Sequence, residues 1–112
     1  MKITAVEALP IDRYLFAKIH TDEGITGVGE SGAWGYLEPS EAAIKKFGRY
    51  LVGKDPLRIE HHWQYMYRFS HFRGAAIMGA ISALDIAMWD IAGKHFGVPA
   101  YQLLGGKTRD KA

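Results

Sequence analysis

The sequence predicts an α+β fold, a three-stranded antiparallel meander followed by a helical bundle, and three observations carry that expectation. The first 30 residues are rich in β-formers and hold short alternating runs broken by turn residues. From Pro39 onward, apolar residues recur at helical spacing. Between Ala75 and Lys94 the apolar residues cover nearly the whole circumference of one long helix, which must therefore be buried on most sides.

Each element follows from local chemistry. Ile3 to Leu9 reads as a strand ending at Pro10, which cannot donate to a central ladder. Tyr14 to Thr21 places Leu15, Ala17 and Ile19 on one face and Phe16, Lys18 and His20 on the other. Asp22-Glu23-Gly24 suits a short hairpin connection, and Ile25 to Glu30 returns as the partner strand. Pro39 and Ser40 open a first helix that buries Ile44, Phe47, Gly48 and Leu51 and ends at Gly53. Asp55-Pro56 reads as an N-cap followed by proline at the first helical position. The second helix sets Ile59, His62, Trp63, Met66, Tyr67 and Ser70 on one face. Gly74 separates it from the third helix, about 30 Å long. A last short turn runs from Pro99 to Leu104 and stops at Gly105-Gly106. The breadth of the third helix's apolar surface predicts a partner, from another chain or from more of the same chain.

Composition narrows the function classes. With 112 residues, 48% hydrophobic and 23% charged, the chain suits one compact domain. Without cysteine it has neither a disulfide framework nor a thiolate zinc site nor a cysteine nucleophile. A net charge of +2 gives no field for nucleic acid, and the basic residues lack an interleaved aromatic platform. The longest uncharged run, Gly74 to Leu84, is short of the ~20 residues a bilayer needs. The chain is expected to be cytoplasmic, with neither nucleic acid nor membrane as partner.

Several motifs invite a chemical reading. Gly27-Val28-Gly29-Glu30-Ser31-Gly32 matches a dinucleotide fingerprint, which needs Gly32 in the first turn of a helix. Gly35 and Pro39 fall where that helix would run, so Gly27 and Gly29 are read as strand glycines allowing close packing. His61 and His62 point about 100° apart and cannot chelate one ion, and His71 lies beyond the helix end. Asp85 and Asp90 do not converge on the helix, and each is expected to meet an arginine or a backbone N–H. Two loops stand out: Ser31 to Leu37, which carries Trp34 and Tyr36, and Ile11 to Tyr14. In a meander both fall at one edge and share a rim, where aromatic residues either pack or bind.

Ser82-Ala83-Leu84-Asp85-Ile86-Ala87-Met88-Trp89-Asp90-Ile91-Ala92-Gly93-Lys94, with Gly97-Val98-Pro99 and Gln102 to Gly106, resembles the mandelate racemase/muconate lactonizing branch of the enolase superfamily. Thr21 to Glu30 and Leu51 to Pro56 match in the same register. The resemblance implies that residues 1–106 form the family's N-terminal capping domain and that 107–112 begin a linker to a (β/α)8 barrel. It implies a homo-oligomeric enzyme, when full length, that abstracts a proton α to a carboxylate. A Mg2+ ion held at barrel strand ends stabilises the enediolate, with lysine or histidine bases nearby. This sequence contains no Lys-x-Lys and no carboxylate matching a metal-ligand position, so neither catalytic nor metal residues are expected in it. His71-Phe72-Arg73-Gly74 resembles the acid-sugar dehydratases, which suggests a small carboxylate substrate such as an aldonate. Lids of this family contribute to specificity through the same two loops. Arg13, Trp34, Tyr36 and Arg73 are accordingly the expected substrate contacts. The alternatives are the lid of a racemase or cycloisomerase of the same branch, or a stand-alone, non-catalytic binding or assembly module.

Overall fold

The computed structural model describes residues 1–111, so of the expected linker only Ala112 lies outside the described residues. Strands β1 (Ile3–Ile11), β2 (Tyr14–Thr21) and β3 (Thr26–Ser31) form an antiparallel sheet in the order β1-β2-β3. Helices α1 (Leu37–Leu51), α2 (Ile59–Phe69), α3 (Ala75–Phe96) and α4 (Ala100–Leu103) follow. The α+β meander with a helical layer is the fold the sequence predicts.

The alternation in β2 sets the register. Ala17 pairs with Ala8 of β1 and Gly29 of β3, and Ile19 pairs with Val6 and Gly27. Leu15, Ala17, Ile19 and Thr21 are buried under the helices, while Phe16, Lys18 and His20 face outward beside Glu7 and Glu30. His20 pairs with Glu7 on that outer face. At the β2–β3 turn, Gly24 supplies a φ of +77°, which a side chain would resist.

Gly27 and Gly29 are packing glycines. A Cβ on Gly29 would overlap the Ala83 carbonyl group, and one on Gly27 would overlap that of Ala87 and come within 2.8 Å of Ile91 Cγ1. Helix α3 therefore lies directly against the β3 backbone, an approach only glycine permits. Nothing lies within 4 Å of a Cβ at Gly32, which sits in a loop and opens no helix, so the third glycine of the fingerprint does not serve a phosphate cradle. The free edge of β3 is closed by α3 as well. The Val28 N–H donates to Asp90 Oδ2 at 3.0 Å, and Lys94 Nζ donates to the Thr26 carbonyl at 2.7 Å and to Asp90 at 2.8 Å.

Three expectations need correction. Strand β1 continues through Pro10 to Ile11, because it is an edge strand where a missing N–H costs no ladder bond. Asp55 does not cap α2: its Oδ1 accepts from the Leu57 N–H at 2.9 Å, closing a turn, and the helix starts at Ile59. The third helix is covered better than its circumference suggests. Ala80, Ile81, Ala83, Leu84, Ala87, Met88, Ile91 and Ala92 are all buried within the chain's own fold, because the glycine strand lets the sheet approach. One stripe stays open, with Ser82 exposed and Ile86 47% exposed. Helix α3 is long and apolar enough to cross a membrane, yet here it is the central core helix, packed by β2, β3, α1 and α2.

Candidate functional site

The two loops do meet at one rim. Asp12 takes a φ of 54°, a left-handed turn that aspartate tolerates, and sets Arg13 at the tip of the β1–β2 hairpin. Arg13 is held there by Tyr14: its Nε donates to Tyr14 Oη at 3.3 Å and its guanidinium lies 5.4 Å from the ring centroid. Across the rim, Ser31 and Ser40 share a buried hydroxyl–hydroxyl bond of 2.7 Å. That bond ties the end of β3 to the first turns of α1 and so fixes both ends of the loop that carries Trp34 and Tyr36. Helix α1 begins at Leu37, ahead of Pro39, whose lack of an N–H is harmless in a first turn.

Arg13, Tyr14, Trp34, Gly35, Leu37 and Glu38 line a cavity of about 410 Å³. Trp34 is 76% exposed and Tyr36, on the same loop but outside the cavity lining, is 68% exposed. Neither Arg13 nor Glu38 forms an ion pair among the described residues. The arrangement offers guanidinium donors, a carboxylate acceptor and a flat indole face around one opening, groups able to hydrogen-bond and stack against a polar solute. Glu38 and Tyr14 are the contributors that sequence reasoning did not single out. Glu38 lies in the first helical turn directly after the loop, a position that by itself does not distinguish a cavity-lining carboxylate from a solvated one.

Arg73 is placed elsewhere. Its Nη1 donates to the carbonyls of Tyr67 at 3.0 Å and Ser70 at 2.9 Å, and its guanidinium lies 3.9 Å from the Tyr67 ring centroid. In this position it satisfies carbonyls left over at the C-terminus of α2 and does not line the rim cavity. The segment it pins holds Phe72 94% exposed.

The histidines do not form a metal centre. His62 is buried, its Nε2 donating to the Asp55 carbonyl at 2.8 Å and its Nδ1 accepting from Tyr50 Oη at 3.0 Å. Burial, with His61 and Arg58 nearby, lowers its pKa below 6.5, and the Asp55 carbonyl only partly opposes this. Burial also raises the Tyr50 hydroxyl, with Tyr65 adding to the effect. The two residues thus form a neutral pin between α1, α2 and the 53–55 turn. Asp90 meets a backbone N–H as expected. Asp85 instead lies half-buried without an arginine, and burial and the Glu60 charge raise its pKa against the opposing Trp89 indole. Among the described residues, no three His, Asp or Glu side chains converge as a metal site.

Known proteins share this anatomy. The family model of the mandelate racemase / muconate lactonizing enzyme N-terminal domain matches residues 2–105. A D-galactonate dehydratase from Variovorax paradoxus is 51% identical over 99% of this chain and 30% of its own length. One from Xanthomonas campestris pv. campestris is 51% identical over 98% of the chain and 28% of its own length. Among solved structures, an enolase from Pantoea ananatis with bound D-gluconate and Mg superposes with a TM-score of 0.92 at 37% identity. It is matched over 97% of this chain and 28% of its own. A member of the enolase superfamily from Salmonella Typhimurium gives a TM-score of 0.91 at 35% identity, over 97% of this chain and 30% of its own. The chain thus spans less than a third of the length of the curated relatives it matches. With the meander, the glycine-packed core helix and the sequence match all in one register, the chain belongs to the mandelate racemase/muconate lactonizing enzyme family of the enolase superfamily, as its N-terminal domain.

Proposed function

We propose that residues 1–106 are the substrate-capping lid of a magnesium-dependent sugar-acid dehydratase, and that the chain leads through residues 107–112 into a catalytic (β/α)8 barrel. The observation that carries this reading is the rim cavity, where an exposed tryptophan on a loop braced at both ends faces an arginine that has no ion-pair partner among the described residues. Two exposed aromatic residues on a short, braced loop bury little within the chain and are suited to covering a ligand. The D-galactonate dehydratase relatives and the D-gluconate bound to a structural neighbour point to an aldonate as the substrate. Removal of the α-proton and loss of the β-hydroxyl belong to the barrel, where magnesium would stabilise the charge that develops on the substrate carboxylate. The lid's part is to exclude water, hold the chain of hydroxyl groups and complete the site on closure.

The test replaces the lid of the Variovorax relative with this chain and measures magnesium-dependent dehydration of D-galactonate and D-gluconate, followed as the 2-keto-3-deoxy product. The chimera should dehydrate at least one of them. Trp34→Ala should lower kcat/KM about tenfold or more while changing stability by under about 0.5 kcal/mol, because the indole is mostly exposed. A folded, magnesium-binding chimera that dehydrates no sugar acid refutes the proposal.

A further inference from the structure

The rim cavity holds two opposite charges that capping alone does not require. Arg13 and Glu38 both line it, yet neither is paired with the other or with any other charged group among the described residues. Glu38 stands in the first turn of α1, directly after the loop that carries Trp34. A bare carboxylate beside a site for an anionic substrate repels that substrate unless the part of the substrate it meets is neutral.

In the dehydratase reading, on which this inference rests, the reacting carboxylate turns toward the barrel and the lid meets the far end of the substrate. A terminal hydroxymethyl group can donate to Glu38 and accept from Arg13, so both side chains are satisfied at once, with Trp34 covering the apolar C–H face. A terminal carboxylate can accept from Arg13 but carries no proton for Glu38, and the two negative charges repel. We infer that Glu38 is a specificity-determining residue of this lid, selecting sugar monoacids and rejecting sugar diacids by charge.

The experiment uses the lid–barrel chimera with D-galactonate and galactarate, which differ only at C6. The monoacid should be preferred by about tenfold or more in kcat/KM. Glu38→Gln keeps an acceptor oxygen and removes the charge, so the preference should shrink by about tenfold. Arg13→Gln should move the ratio the other way. Raising the salt should weaken the preference in the parent chimera but not in the Glu38→Gln variant, where only the Arg13 attraction for the diacid is left to screen, a response that a merely structural role would not produce. An active chimera whose monoacid-to-diacid ratio is unaltered by Glu38→Gln overturns the assignment and leaves the dehydratase reading standing. A folded chimera inactive on every sugar acid, where the relative's own lid supports turnover, overturns both.

Discussion

Substituting Gly29 by alanine tests whether the strand and the core helix are in backbone contact. The added Cβ would lie 2.9 Å from the Ala83 carbonyl carbon and 3.0 Å from the Ala87 nitrogen, with the Ala83 oxygen nearer still. All three atoms are helix backbone and cannot rotate away, so β3 and α3 would have to separate by about 1 Å along the contact that organises the core. Overpacking of this kind costs about 3 kcal/mol, whereas replacing a strand glycine returns about 0.5–1 kcal/mol of chain entropy. Steric overlap wins, and the net loss should be about 2–2.5 kcal/mol, a large share of the stability of a domain this size. Urea unfolding followed by circular dichroism at 222 nm should show the midpoint falling by about 1–2 M. Gly32→Ala is the matched control: a Cβ there meets nothing within 4 Å, so its stability should stay within about 0.5 kcal/mol of the parent. Equal, small effects at Gly29 and Gly32 would refute the packing account and reopen a different role for the three-glycine motif.

Two further predictions concern pH. Because burial lowers the pKa of His62, the folded chain binds fewer protons there than the unfolded chain, so stability is full above pH 6.5 and declines as the pH falls below it. The urea midpoint should therefore drop between pH 7.5 and 5.5, and His62→Gln should flatten that drop; an unchanged slope would remove His62 as its source. Asp85 works in the opposite sense. Its pKa is raised from 3.8, so the ionised form opposes folding as pH rises through the folded value, and Asp85→Asn should raise the midpoint at pH 7. The gain should vanish near pH 3, where both forms are neutral, and a gain that persisted there would mean packing is responsible.

How much was legible beforehand depended on the range of the interaction. The period-2 pattern of Leu15, Ala17 and Ile19 and the helical spacing of Ile44, Phe47, Gly48 and Leu51 specify which face is buried, and they do so within one element. The paired loops were placed at one rim by topology alone, since consecutive antiparallel strands bring alternate connections to the same end. Glu38 and Arg73 show the limit. Whether an exposed charge lines a cavity or binds carbonyls of its own loop depends on where a flexible side chain finds partners, and nothing in its immediate sequence encodes that.

Local chemistry by itself thus determined the elements, their buried faces, the turn at Gly24, and, through its motifs, membership of the family. The tertiary structure alone decided that β1 could run through Pro10, that Asp55 closes a turn rather than capping a helix, and that the core helix is covered mostly by its own sheet. In each case the deciding term is a non-local one. An edge position removes the need for a donor at Pro10, and two glycines in β3 let the backbone of a distant helix approach more closely than any side chain would allow.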